Sequence, residues 1–293
     1  MSEISRPGVI HDLGYRHYDG LREGTPTIAR TLFVTGLRHA YGLGRSGKSK
    51  VMPFLLLAMS VLPAVIVVGV VVLTGLDELP VSYADYTNQT QLLVSLFAAA
   101  QAPVLFSRDL RHRSIVLYLA RPLSASVYAL MRWLSLTVAL WLFMAVPTLL
   151  LFVGAMLSGL DKSDQVTALL KAVALQTLLA LLIAGITGLI SSVSLRRGFA
   201  VVGSVMALIV LTGVVTAIQA IASEEGADSV SVAAGLFSPW SLYNGLADAW
   251  DAGVETFVPV DGAWPLAYVL VALLLAAGCL AGLVARFRKV GSR

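Results

Sequence analysis

The chain has 293 residues, 57% of them hydrophobic and 13% charged, with a mean hydropathy of +0.82. A soluble domain carries about 25% charged residues, so this composition excludes an ordinary water-soluble protein and puts most of the chain in a bilayer. The net charge of +4 says less than its distribution, and the lone cysteine, Cys279, excludes an internal disulfide and a cysteine-built metal site.

Residues 1–24 are polar, with Gly and Pro, and read as an irregular tail. Thr25-Pro26 then reads as an N-cap with proline at the first helical position, where its missing N–H costs nothing. On a helical wheel Ala29, Leu32, Phe33, Leu37, Ala40 and Tyr41 share one face, and Thr31, Thr35, Arg38 and Arg45 the other. The spacing predicts a helix over 25–45 lying in the headgroup plane, ended by Gly42, Gly44 and Gly47.

Within 42–49, Gly42-Leu43-Gly44-Arg45-Ser46-Gly47-Lys48-Ser49 fits the phosphate-loop pattern letter for letter. Such a loop works only between a buried strand and a soluble helix, whose N-terminal N–H groups converge on phosphate. Here an amphipathic helix is expected before it and a membrane crossing after it, so the stretch is read as a hinge at the headgroup level.

Six stretches free of Asp, Glu, Lys and Arg follow, over about 51–76, 86–107, 133–160, 172–195, 198–223 and 262–285. Each is long enough to cross a hydrocarbon core about 30 Å thick, and each has to be helical because lipid offers the backbone no hydrogen-bond partners. Pro53, Pro63, Pro103, Pro147 and Pro265 are expected to kink these helices rather than forbid them. The first run starts too far along the chain for a cleavable signal peptide, so it is expected to be retained.

Six crossings put both ends on one side. The segments sharing that side, 1–50, 108–132, 196–197 and 286–293, hold nineteen of the 21 Lys and Arg, with Lys162 and Lys171 the exceptions. The opposite loops carry twelve of the 17 acids. Because cytoplasmic loops are enriched in Lys and Arg, both termini are expected inside. The bases then face lipid headgroups, and no nucleic-acid partner is expected.

Between the second and third spans lies a dense charge cluster, Arg108-Asp109-Leu110-Arg111-His112-Arg113-Ser114, followed by a short apolar run closed by Pro122. It predicts a cytoplasmic helix within 108–125 whose apolar side packs under the membrane domain; the plainer alternative is a basic membrane anchor. The outer loop 224–261 mixes acids with Leu236, Phe237, Trp240, Leu242, Tyr243, Leu246 and Trp250. It is expected to dip into the outer leaflet or lie on it as one or two short amphipathic helices, or else to serve as a loose aromatic anchor.

The spans contain no Asp, Glu or His, and His11, His17, His39 and His112 all fall in cytoplasmic segments without ligand spacing. An intramembrane enzyme lacks its acid, base and nucleophile here, and an ion-coupled carrier lacks its titrating groups. Uphill movement of a solute would need energy from another polypeptide. Gln101, Gln176 and Gln219 are the candidate pathway-lining side chains, with interhelical hydrogen bonding their commoner role.

The whole chain resembles a permease subunit of an ABC transporter of the ABC-2 type, a class used mostly for export. The resemblance rests on the tail Gly14-Tyr15-Arg16-His17-Tyr18-Asp19-Gly20, the interfacial (elbow) helix and the six spans with both ends inside. It rests also on the loop from Arg108 to Arg121-Pro122-Leu123-Ser124, on Leu236-Phe237-Ser238-Pro239-Trp240 before the sixth span, and on the ending Arg286-Phe287-Arg288-Lys289.

What it implies is an all-α integral membrane protein of the inner (plasma) membrane, a single permease domain over 1–293. Two such chains, identical or paired with a sister permease, would assemble with two cytoplasmic ATPase subunits. ATP and Mg would bind on those partners, this chain being no enzyme and holding no cofactor. The segment after the second span would be the coupling helix, with Arg108, Asp109, Arg111, Arg113, Ser114 and Leu117 at the ATPase contact. The outer aromatic segment would be a re-entrant gate. Asp109 stands where many relatives carry Glu, and Ser114 where Thr is common. The alternative to this reading is an ion-coupled or passive carrier that works without an ATPase.

The one-sided base count generates a test. In a Cys279→Ala background, cysteines at Asp164 or Asp228 should react with a membrane-impermeant thiol reagent in intact cells, and cysteines at Ser46 or Ser194 should not. External labelling at position 194 would break the six-span topology.

Overall fold

The structure is a computed structural model that describes residues 24–111, 123–194 and 196–291. Among these residues it is all-helical, without strands, and six helical stretches are long and apolar enough to cross a membrane. The chain is a multi-pass membrane protein. In order, the elements are α1 (Thr25–Ala40), α2 (Lys48–Thr74), α3 (Tyr83–Gln89), α4 (Gln91–Leu105), α5 (Ser107–Arg111), α6 (Ala125–Leu157) and α7 (Lys162–Val193). Then come α8 (Arg197–Val205), a π-helical turn (Met206–Val210), α9 (Leu211–Glu224), α10 (Asp228–Ala234), a 3₁₀ turn (Gly235–Phe237), α11 (Pro239–Ala249) and α12 (Trp264–Gly291).

Burial sorts the six crossings into two sets. The apolar windows of α4–α5, α6 and α7 are 67%, 56% and 56% buried, against 22% for α2, 22% for the α8–α9 stretch and 28% for α12. The first three are therefore the centre of the bundle. The others present Leu55, Leu62, Ile66, Phe199, Val214 and Leu274 outward, as helices bathed in lipid do.

Charge-free runs locate the crossings but misplace their ends, because caps rather than hydropathy stop a helix. α1 ends at Ala40, not at residue 45: Gly42 and Gly44 take φ of 70° and 77°, and the Leu43 N–H turns back to the Arg38 carbonyl at 2.8 Å. At its start Gly24, not Thr25, holds the N-cap position, so Thr25 and Pro26 are both helical. The second run does not begin at 86. Thr90, at φ −90° and ψ 10°, separates α3 from α4, and its hydroxyl bonds to the Tyr86 and Thr87 carbonyls at 3.1 Å.

The third crossing begins at Ala125 rather than 133. Ser124 caps it, accepting from the Val127 N–H at 3.3 Å. The fourth begins at Lys162 rather than 172, capped by Asp161, whose carboxylate accepts from the Ser163 and Asp164 N–H groups. Lys171 does not simply reach outward: its ammonium donates to the Asp251 carbonyl at 2.9 Å. The fifth contains the π turn, closed by the Leu211 N–H on the Met206 carbonyl, and the sixth runs on to Gly291 with its bases on the helix.

The 224–261 segment is not loose. Trp240 and Tyr243 of α11 are buried, and their polar atoms tie it inward: Trp240 Nε1 donates to Ser95 Oγ of α4 at 3.0 Å, and the Tyr243 hydroxyl to the Ala84 carbonyl of α3 at 2.8 Å. Helix α1 is held as firmly at the other end. Leu32, Gly36 and Ala40, four residues apart, form its buried stripe. Ser135 Oγ of α6 donates to the Phe33 carbonyl at 3.0 Å, and the Tyr41 hydroxyl to the Ala139 carbonyl at 2.8 Å.

Gly36 permits that approach, since a Cβ there would sit 2.5 Å from Ser135 Oγ. Gly36→Leu should therefore prise α1 from α6 and destabilise the chain by about 1–3 kcal/mol, read as a lower thermal-unfolding midpoint in detergent. Exposed Arg30→Leu should leave the midpoint unchanged.

Candidate functional site

The bundle carries a buried charge pair at the end where α5 meets α6. Helix α6 has 33 residues, about 50 Å at 1.5 Å per residue, so it is longer than a hydrocarbon layer of about 30 Å is thick. Tyr128 and Arg132, four residues apart, share one side of its first turns. Both converge on Asp109 of α5. The Tyr128 hydroxyl donates to Asp109 Oδ2 at 2.6 Å, and Arg132 Nη2 forms an ion pair with the same oxygen. Arg132 Nε lies 3.4 Å from the Tyr128 hydroxyl, and its guanidinium carbon 5.4 Å from the ring centroid.

The side chains of Arg132 and Asp109 are only 5% and 14% exposed, which makes this a desolvated pair rather than a surface one. Phe287 of α12 closes over it, its ring edge-on to Tyr128 at 5.1 Å and stacked on Phe106 at 6.5 Å. Helices α5, α6 and α12 thus meet on one charge pair, and Gly36 of α1 faces Arg132 from the remaining side.

The surrounding field is positive. Burial, then the charges of Arg132, Arg108 and Arg45, hold His39 below the ordinary histidine range, with Asp109 pulling the other way. Burial and the nearby Arg108 and Arg197 likewise depress Arg45. Arg108 and Arg111, three residues apart on α5, are both exposed, while Leu110 packs inward. Arg113, Ser114 and Leu117, the rest of the predicted contact, lie outside the described residues, as does most of the 108–125 segment.

The three glutamines are not brought together. Gln101 is buried in α4. Gln176 is fully buried, its amide donating to Thr87 Oγ1 at 2.8 Å and Thr148 Oγ1 at 2.7 Å, so it clasps α7 to α3 and α6. Gln219 lines a pocket of about 210 Å³ whose wall includes neither of the others. A second pocket of about 320 Å³ lies alongside, sharing Thr216 and bounded by Ser95, Thr212 and Trp240.

The 42–49 stretch joins helix to helix, α1 to α2, and the Ser49 hydroxyl donates to the Ser46 carbonyl at 2.7 Å. Among the described residues no group of three His, Cys, Asp or Glu side chains could hold a metal ion. A scan of protein-family models found no match to the chain, and a search of curated proteins found none either.

Tyr128 and Arg132 are not among the candidates that the sequence offers, because the charge-free count starts the third crossing at 133 and leaves Arg132 in the connecting segment 108–132. The usable signal was the Tyr128–Arg132 spacing behind Ser124, which continues the helix N-terminally.

Breaking a buried pair strands the remaining charge, at a cost of about 3 kcal/mol or more, whereas removing both charges costs less. Asp109→Asn and Arg132→Leu should each lower the unfolding midpoint, and the double variant should lie well above the sum of the two losses. Additive losses in this cycle would mean that the pair contributes nothing.

Proposed function

We propose that the chain is the permease subunit of an ATP-driven ABC transporter of the ABC-2 type, an exporter that forms its path as a dimer and is driven by separate ATPase subunits. In this reading both termini are cytoplasmic, α1 is the interfacial elbow, the segment after α5 is the coupling helix, and the α10–α11 segment is the re-entrant outer gate. The observation that carries the reading is the Asp109–Arg132–Tyr128 cluster. It pins the base-rich end of the second crossing to the third and to α12, within the segments to which the six-span reading assigns nineteen of the 21 bases.

A motor outside the membrane can act on spans only through a connected element that moves them together. In this reading α5 is that element, since displacing Asp109 loads Arg132, and with it the helix that holds α1 through Ser135 and Ala139. Exposed Arg108 and Arg111 supply charge for a partner surface. The six charge-free runs support an external energy source over ion coupling.

A tagged chain purified from its native membrane should retain a nucleotide-hydrolysing subunit in stoichiometric amount. Asp109→Lys or Leu117→Asp should uncouple or release that subunit while the six spans still insert, and Glu3→Lys should do much less. Purification of a fully active chain with no ATPase, or full partner binding and transport by both variants, would defeat the assignment.

A further inference from the structure

Three of the crossings bring arginine to one place at their ends. Arg45 stands in the turn that leads into α2, Arg108 on α5 at the end of the second crossing, and Arg197 at the start of α8. Helix α4 packs against both α2 and α8, and α5 packs against α8 as well, so bases far apart in the sequence adjoin at one rim. The turn that carries Arg45 is itself fixed, by the Leu43 N–H on the Arg38 carbonyl and the Ser49 hydroxyl on the Ser46 carbonyl. Burial, and then the charges of Arg108 and Arg197, depress Arg45, as like charges brought close do.

No carboxylate answers this charge among the described residues. Asp109, next to Arg108, is committed to Arg132 and Tyr128, and no other lies within ion-pair distance of Arg45, Arg108 or Arg197. Bases gathered in this way repel one another until an anion joins them. Guanidinium groups suit phosphate, because each can bind two of its oxygens at once. Arg111, the other exposed base of α5, does not act on Arg45 and stands outside the cluster.

The neighbourhood selects the kind of phosphate. Directly after these bases the helices turn apolar side chains outward: Val51 and Leu55 on α2, and Phe199, 67% exposed, and Val202 on α8. A free phosphate would leave those side chains unused, and an acidic protein surface outside the bilayer would meet the charge without covering them. A phospholipid uses both, with its head at the arginines and its chains along the helices. We propose that Arg45, Arg108 and Arg197 form a binding site for one anionic phospholipid, whose phosphate bridges the ends of the first, second and fifth crossings and whose acyl chains lie along α2 and α8. The site rests on the membrane-spanning fold and not on the permease reading.

The test uses the full-length chain in detergent, followed by native mass spectrometry, and titrates it with dioleoyl phosphatidylglycerol, with phosphatidylcholine of the same chains, and with inorganic phosphate. Phosphatidylglycerol should fill one saturable site per chain at least about tenfold more tightly than phosphatidylcholine, whose choline cancels the charge of its phosphate. Arg45→Gln, Arg108→Gln and Arg197→Gln should each weaken it by about fivefold, and the triple variant should bind the two lipids alike. Arg111→Gln removes the same charge from the same helix and should leave the affinity within about twofold. Inorganic phosphate at millimolar concentration should not displace the lipid. Equal affinity for the two lipids in the unaltered chain, an undiminished preference in the triple variant, a loss in Arg111→Gln as large as in Arg108→Gln, or displacement by inorganic phosphate would overturn the proposal. None of these results touches the ATPase co-purification experiment, so the two readings fail separately.

Discussion

Hydrocarbon offers no hydrogen-bond partner, and every other feature of this chain follows from that constraint. A peptide group stranded in lipid costs several kcal/mol, so a charge-free run crosses as helix and departs from helix only where protein supplies the missing partners. The π turn at 206–210 shows the rule at work. Its carbonyls would be under-bonded if the chain widened in lipid alone, but the Thr212 hydroxyl bonds back to Leu208 at 2.7 Å and also meets Ser238 of the outer segment at 2.8 Å. The widened turn is buried on that side and lines a pocket, as π-bulges in helices commonly do at sites of function.

The same constraint explains why polar contacts, not apolar ones, choose which helices touch. Leucine against lipid is nearly as well off as leucine against leucine, so close approach of small residues and a few hydrogen bonds decide the pairing. Gly36 admits α1 to α6, and Gly185 brings α7 against Cys279 of α12, where a Cβ would lie 2.8 Å from its neighbour. Gln176 then fastens α7 to two partners through two threonine hydroxyls.

At the base-rich rim the constraint changes form. Asp109 and Arg132 would each be costly to bury alone, yet together, with Tyr128 bridging and Phe287 capping, they are held almost out of water. The price is set against geometry rather than affinity: a shared oxygen on a five-residue helix fixes the angle at which the chain leaves the second crossing. The surrounding excess of Arg charge, which adds to burial in holding His39 below the ordinary histidine range, leaves that rim positive toward whatever approaches it.

The sequence by itself determined the number of crossings, the helical class and the asymmetry of charge, because each follows from composition summed over some twenty residues. Aromatic residues set among acids at 224–261 left short helices and a loose anchor equally open, and the fold places two short helices there. Only the tertiary structure decided where the helices end, since caps such as Ser124 and Asp161 act through single hydrogen bonds that hydropathy averages away. It alone showed that Arg132 belongs to a span, because a buried charge is legible only once its partner, 23 residues back, is seen beside it. The three glutamines had equal standing in the sequence and different fates in the fold: Gln176 became a clasp and Gln219 a pocket wall. The neighbours that separate them, Thr87 and Thr148 for one and Asn244 and Tyr268 for the other, come from distant stretches that only folding brings together.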